Sequence, residues 1–306
     1  MQINRRSVLQ GSMAATFAGT AAGLMPARAA TTPLAKPLAS TGEMLPLVGL
    51  GSWITFNVGN NRKLLDASSD VMAAFFESGG RMIDSSPMYG SSQATIGYGL
   101  KKLGMPGALF SADKVWTSSA GNGSRQIETS RSHWGVPGFD LVQVHNLVAW
   151  REHLELLQSM KAAGDVKYIG ITTSHGRRHA DLEDIMASQP VDFVQLTYNM
   201  EDREAEQRLL PLAKERGIAV IVNRPFQRGY LVERLSSSPL PDWATETGAS
   251  SWAQFLLKFV ISHPAVACAI PATSKVAHVR ENLAAASGIL PDAALRKRMA
   301  DYVGQL

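Results

Sequence analysis

From Leu45 onward, short apolar runs alternate with longer amphipathic ones, so strand-length segments are separated by segments with a helical repeat. Residues 47–52, 81–84, 109–115, 141–145, 168–172, 193–196, 219–223 and 266–270 read as strands. Helices are expected over 63–78, 93–103, 124–134, 151–163, 177–188, 203–216, 251–262 and 275–286, with Gly217 suited to a left-handed C-cap. Eight such units point to an α/β protein built as a single-domain (β/α)8 TIM barrel rather than a doubly wound sheet. Neither a phosphate-loop lysine motif nor a strand-associated GxGxxG is present.

Composition changes that picture mainly at the N-terminus. With 306 residues, 45% of them hydrophobic, the chain can bury a large core. Its net charge of +4 comes mostly from Arg5, Arg6 and Arg28, in a stretch of 29 residues without Asp or Glu. No dense Lys/Arg stripe interleaved with aromatics remains beyond it, which excludes nucleic acid as an expected partner. The single cysteine, Cys268, excludes an intrachain disulfide and sits in an apolar run that suits a core residue.

Residues 1–29 read as a twin-arginine signal peptide. Asn4-Arg5-Arg6-Ser7-Val8-Leu9 is followed by an uncharged stretch too rich in Gly, Ser and Thr to span a membrane comfortably. Ala27-Arg28-Ala29 then offers small residues where a signal peptidase inspects the chain. The expectation is recognition by the twin-arginine export machinery, a periplasmic or otherwise exported location, and no stable membrane anchor. Residues 30–41 are expected to be a disordered lead-in, with the barrel over 42–306.

If the strands close, the functional face lies beyond their C-terminal ends. There the sequence places Trp53, then Asp84 and Tyr89, Lys114 and Trp116, His145, Thr172 and Thr173, Gln195 and Asn199, Asn223 and Arg224, and finally Thr273, Ser274 and Lys275. Asp84, Tyr89, Lys114 and His145 bring an acid, a phenol, an amine and an imidazole from three consecutive strands. An ammonium stabilises a phenolate, so Tyr89 beside Lys114 is expected to give up a proton near neutral pH. Asp84 would hold Lys114 charged, and His145 would orient or polarise a carbonyl oxygen. A plainer reading makes Asp84 a helix cap and Tyr89 a packed loop residue. His175 and His179 lie four apart but lack a third ligand, so no metal site is expected.

Here the chain resembles the aldo-keto reductases. Leu45-Pro46-Leu47-Val48-Gly49-Leu50-Gly51-Ser52-Trp53 is similar to that family's first strand, with Ser52 where Thr is common. Asp84 and Tyr89 match its Asp and Tyr. Phe110-Ser111-Ala112-Asp113-Lys114-Val115-Trp116 and Phe139-Asp140-Leu141-Val142-Gln143-Val144-His145 resemble the strands carrying its Lys and His. Gly164-Asp165-Val166-Lys167-Tyr168-Ile169-Gly170-Ile171-Thr172 and the segment from Ile270-Pro271 to Glu281-Asn282 extend the likeness over about residues 45–290.

The resemblance implies NADP(H) extended across the C-terminal face and hydride transfer to or from a small carbonyl substrate, with Tyr89 protonating the carbonyl oxygen. It implies that Thr172 and Thr173 hold the carboxamide and that Gln195 lies beneath the nicotinamide. Gly51, Ser52, Asn223, Arg224, Pro225 and Phe226 join the implied cofactor-binding set. The far end of the cofactor would meet Thr273, Ser274, Lys275 and His278 at a helix N-terminus, with Glu281 and Asn282 at the adenine.

Some positions depart from the family pattern. His278 stands where many relatives have Arg, and Ala272 where some have Lys. Asn223-Arg224-Pro225-Phe226 replaces Tyr-Ser-Pro-Leu, which removes the stacking aromatic at Asn223. Arg224 is left with three readings: the cofactor pyrophosphate, a substrate anion or a wall salt bridge. Asn146 replaces a Trp and widens the expected pocket beside Trp53 and Trp116, which could equally be rim packing. Only 24 residues follow Asn282, too few for a long closing loop, so specificity is expected from the two tryptophans and the loop 227–248.

Two other functions compete with the reductase. Export to a compartment without a free nicotinamide pool motivates a cofactor-binding, redox-sensing subunit with a periplasmic redox partner. A lyase using Lys114 as a Schiff-base amine needs a desolvated, neutral lysine, and Asp84 argues against it.

Overall fold

The computed structural model describes residues 33–306; the expected signal peptide at 1–29 lies outside the described residues. A hairpin of β1 (Ala35–Pro37) and β2 (Met44–Pro46) leads into β3 (Leu50–Gly51), α1 (Arg62–Glu77), β4 (Met82–Asp84) and α2 (Ser92–Lys102). Then follow β5 (Phe110–Val115), α3 (Gly123–Trp134), β6 (Phe139–His145), α4 (Trp150–Ala163), β7 (Val166–Thr172), α5 (His179–Ser188) and β8 (Phe193–Thr197). The chain continues through α6 (Leu209–Arg216), β9 (Ala219–Asn223), α7 (Tyr230–Leu235), α8 (Trp252–Ile261), β10 (Val266–Ala269), α9 (Val276–Ala284) and α10 (Ala293–Val303).

Strands β3 to β10 pair in parallel in sequence order. Parallel bridges between Val48 and Ala269 and between Gly51 and Ala272 join the two ends, supported by the Gly49 N–H donating to the Ala269 carbonyl at 2.8 Å. The eight-unit barrel reading is correct. Gly51 shows why the seam tolerates no side chain: a Cβ there would stand 2.7 Å from the Ile270 carbonyl oxygen.

Because strand side chains alternate, every second residue points into the barrel. The lower inward row is apolar and contains Met82, Phe110, Leu141, Tyr168, Phe193 and Ile221, together with buried Cys268. Burial pushes the Cys268 thiol up, consistent with a core residue. Leu38 and Leu45 from the hairpin join this cluster, so β1 and β2 plug the N-terminal end of the barrel. Lys36 anchors the plug by donating to the Ile261, His263 and Val266 carbonyls at 3.0, 2.8 and 2.8 Å.

Several expected elements need correction. The lead-in is not disordered over 33–41, because Ala35, Lys36 and Pro37 pair with β2 and Leu38 is buried. The helix expected over 203–216 breaks into a 3-10 turn at Glu204–Glu206 and α6, with Pro211 in the first turn, where its missing N–H is tolerated. Gly217 closes α6 in the left-handed conformation, as expected. The helix expected from 177 starts at His179, after a left-handed Arg178. The expected loop 227–248 contains α7 and a 3-10 segment at Asp242–Thr247, and α10 was not anticipated. His153 is fully buried, with Nε2 2.7 Å from the Thr117 carbonyl oxygen.

Gly51→Ala should destabilise the fold by about 1–3 kcal/mol, since the obstructing atom is backbone and cannot swing aside. Urea unfolding checks this; an unchanged midpoint would contradict the closure described here.

Candidate active site

Among the described residues, nine of the ten non-glycine residues with positive φ lie on loops that follow strands, at the C-terminal end of the barrel. They are Ile54 after β3; Asn146, Leu147 and Ala149 after β6; His175 and Arg178 after β7; and Arg224, Gln227 and Arg228 after β9. Such conformations cost energy, and their gathering at one face marks it as the functional end.

The inward-pointing rows turn polar at this same end, passing from Met82 to Asp84, from Ala112 to Lys114 and from Leu141 to Gln143 and His145. On the far wall they pass from Phe193 to Gln195 and Thr197, and from Ile221 to Asn223. Asp84 and Lys114 are each 1% exposed, with Lys114 Nζ 2.6 Å from Asp84 Oδ1 and 2.8 Å from the Ser85 carbonyl. Asp84 Oδ2 accepts from Gln195 Nε2 at 2.9 Å and Gln143 Nε2 at 3.4 Å. Burial pulls the Lys114 ammonium down, but Asp84, with Tyr89 and Asp113, more than offsets this and its pKa rises. An amine held protonated near neutral pH by a carboxylate cannot attack a carbonyl, so the geometry does not favour the Schiff-base lyase.

The half-buried Tyr89 ring meets His145 edge to face at 5.6 Å between centroids, with Lys114 Nζ 5.3 Å from the Tyr89 centroid. Lys114 does act on Tyr89 in the expected direction, but it does not set the net shift, which is upward. Burial pushes the Tyr89 hydroxyl up, Lys114 pulls against it, and the carboxylates of Asp84 and Asp113 add to the rise. His145 is pushed down to about 2, by burial first and the Lys114 charge second, so its ring is neutral. Its Nδ1 lies 2.7 Å from Ser86 Oγ. Trp116 stands beside it at 6.5 Å between centroids and is 40% exposed, which places it at the mouth.

The expected cofactor residues divide into two groups. Gln195 links the acid to the far wall: its Oε1 accepts from Thr172 Oγ1 at 3.3 Å and Asn223 Nδ2 at 3.5 Å. Asn223 also donates to the Thr173 carbonyl at 2.8 Å and accepts from Thr197 Oγ1 at 2.7 Å. The Thr173 hydroxyl is buried without a partner among the described residues, which suits a site for a ligand amide. Thr273, Ser274, Lys275 and His278 gather at the start of α9, where Ser274, Lys275 and His278 are exposed. Glu281 and Asn282 follow on the same helix, Asn282 buried.

Other expected cofactor residues also make contacts within the fold. Gly51 lies in the barrel seam, Ser52 Oγ donates to the Asp84 carbonyl at 2.8 Å, and Phe226 packs against the hydrophobic core next to buried Pro225. Arg280 pairs with Glu77 of α1.

Arg224 forms no wall salt bridge among the described residues. Burial and the neighbouring charges of Arg228 and Arg177 pull its pKa down, with Asp202 opposing. His175 is lowered by burial and by the same three arginines. Four cationic or potentially cationic groups therefore crowd the loops after β7 and β9, and Arg228 lies 4.3 Å over Trp53. Together with the unpartnered Thr173 hydroxyl, this fits a ligand that carries both an amide and phosphates. His175 precedes α5 in a left-handed conformation and His179 approaches Glu204, so the two imidazoles do not share a helical turn.

Residues 47–297 match the model of the Aldo/keto reductase family. The chain belongs to that family. It is 28% identical over 256 residues to methylglyoxal reductase YeaE of Escherichia coli K12, covering 81% of this chain and 88% of that protein. The NADH-specific methylglyoxal reductase of the same organism is 24% identical over 247 residues, covering 68% and 72%. An aldo/keto reductase from Klebsiella pneumoniae, solved in complex with NADP and acetate, superposes with a TM-score of 0.73 at 22% identity, over 86% of this chain and 93% of that one.

In this aldo/keto reductase, sequence reasoning overlooked Ser86, Gln143, Thr197, Arg177 and Arg228. Gln143 and Thr197 were accessible, each lying two residues along a strand from a residue already singled out. Ser86 lies two residues beyond Asp84, but only the fold brings it to His145.

Lys114→Met should strand the buried Asp84 charge and lower stability by about 3–5 kcal/mol. Denaturant unfolding should show Asp84→Asn/Lys114→Met to be less destabilised than the sum of the singles; strict additivity would contradict the ion pair's central place.

Proposed function

We propose that the protein is an NADP(H)-dependent reductase of small aldehydes and ketones, with Tyr89 as the proton donor. The observation that carries this reading is the convergence of a protonated Tyr89, a neutral His145 and an Asp84-locked Lys114 at the strained end of the barrel. The bound nicotinamide would supply the hydride. Thr173, Gln195 and Asn223 would orient its carboxamide, and the arginines after β7 and β9 would meet its phosphates.

The chain's own groups account for the proton. A carbonyl oxygen placed between Tyr89 and His145 meets two neutral donors, provided Ser86 donates to Nδ1 and leaves the proton on Nε2. As negative charge develops on that oxygen, Tyr89 transfers its proton and Lys114 stabilises the phenolate left behind. Asp84 keeps the ammonium in place throughout. Trp53 and Trp116 would flank the substrate and exclude water, with Asn146 at the edge.

NADP(H) is favoured over NAD(H) by Lys275, Ser274 and His278 at the α9 N-terminus, where a 2′-phosphate would gain charge-assisted hydrogen bonds. With methylglyoxal as probe, Tyr89→Phe should lower kcat by about 10²-fold or more while leaving NADPH affinity unchanged. Retention of near-wild-type turnover would refute the assignment, and equal kcat/KM with NADH and NADPH would refute the cofactor preference.

Periplasmic export by the twin-arginine machinery is part of the same proposal, supported by Asn4-Arg5-Arg6-Ser7-Val8-Leu9 and Ala27-Arg28-Ala29. A chain starting near Ala30 in the exported fraction is the expected result; an intact leader on protein confined to the cytoplasm would contradict it.

A further inference from the structure

Behind the lysine lies a second carboxylate that the scheme above leaves without a task. Asp113, on the outward face of β5, is 1% exposed. Its Oδ1 accepts the Lys114 backbone N–H at 2.7 Å, and its Oδ2 accepts from Gln93 Nε2 at 2.8 Å. The same Gln93 nitrogen donates to Ser130 Oγ on α3 at 2.8 Å. Gln93 stands in the first turn of α2, four residues beyond Tyr89. One buried carboxylate therefore ties the strand that carries Lys114 to the helix into which the Tyr89 loop runs.

Among the described residues no cation pairs with Asp113 directly, since the Lys114 ammonium is held by Asp84 and the Ser85 carbonyl. The charged or titratable groups acting on it are Lys114 and Asp84, with Tyr89 beyond. From the packed elements, α2 presents neutral Gln93, α3 neutral Ser130, and β6 Val142 opposite it in register. A cavity of about 450 Å³ on the helix side is lined by Gln93 and Ser130, with Arg125 and His133 of α3 farther along its wall. An uncharged side chain would fill this position at less cost, because a buried carboxylate is unfavourable even when hydrogen-bonded.

We propose that Asp113 is a positioning residue: through Gln93 it fixes Tyr89 against Lys114, and through its negative charge it opposes loss of the Tyr89 proton. A Tyr89 phenolate would be the third negative charge around a single ammonium, after Asp84 and Asp113. Burial pushes the Asp113 carboxyl up to about 7, with Lys114 and Gln93 opposing, so it is ionised in the alkaline range where a phenol titrates. Removing that charge lets Tyr89 ionise at lower pH. In the reductive direction, the alkaline limb of kcat/KM then moves the same way.

The inference rests on Tyr89 being the proton donor, and its test includes a readout that needs no turnover. Tyrosinate absorbance is titrated for wild type and Asp113→Asn, each against its own Tyr89→Phe counterpart, so that the difference reports Tyr89 alone. Asp113→Asn should lower the Tyr89 midpoint by roughly 0.5–1 pH unit, the range expected for loss of one nearby like charge. Asp113→Ser removes the same charge with less bulk and serves if the Asn variant fails to fold. Gln93→Ala should lower kcat without weakening NADPH binding. An unchanged Tyr89 midpoint in either folded Asp113 variant, or unchanged kcat in Gln93→Ala, overturns the proposal. A lowered midpoint in a protein that reduces no carbonyl would support the charge relation while defeating the reductase reading.

Discussion

The Asp84–Lys114 ion pair is the constraint on which the upper half of the barrel depends. Two charges withdrawn from water cost several kcal/mol each, and their attraction offsets this only if the remaining hydrogen-bonding positions are filled. The Ser85 carbonyl, Gln195 and Gln143 fill them. Gln195 in turn engages Thr172 and Asn223, and Asn223 engages Thr173 and Thr197. A charge pair on two adjacent strands thus sets the orientation of polar side chains across the barrel, and every member of such a network is held by the others.

The closed sheet separates two tasks along its axis. Below, aromatic and aliphatic side chains fill the interior and the N-terminal hairpin covers them. Above, the same inward-facing rows carry chemistry, and the connecting loops absorb backbone strain. Electrostatics divides that face again. Arg177, Arg224 and Arg228, which form no salt bridge among the described residues, crowd the β7 and β9 loops, while the β4–β6 side offers a neutral imidazole and a phenol held protonated by its surroundings. Under the proposed function, the anionic parts of the cofactor and the oxygen of a carbonyl would meet opposite sides of one mouth.

Much of this was legible in the chain because parallel strands buried on both faces read as short apolar runs, and a period of two shows where each inward row turns polar. Asp84, Lys114 and His145 were found in that way. Features that depend on three-dimensional balance were not. The rise in Tyr89's pKa comes from burial and two carboxylates outweighing one ammonium, and sequence order shows only that an amine lies nearby. Phe226 follows a polar segment yet turns into the core, and Ser52 serves the Asp84 backbone. The hairpin at 35–46 escaped notice because its strands are three residues long and one of them ends in Pro37. Pro211 falls in the middle of the expected helix 203–216 but in the first turn of the observed α6.

The central claim is direct hydride transfer to a carbonyl carbon at the Tyr89–His145 end of the barrel. Its most direct test is incubation of the purified chain with NADPH deuterated at nicotinamide C4, using each stereoisomer in turn, and methylglyoxal, followed by mass analysis of the alcohol. The account predicts one deuterium on the new carbinol carbon from one stereoisomer and none from the other. Alcohol formed without label from either, or no cofactor oxidation at all, would contradict it.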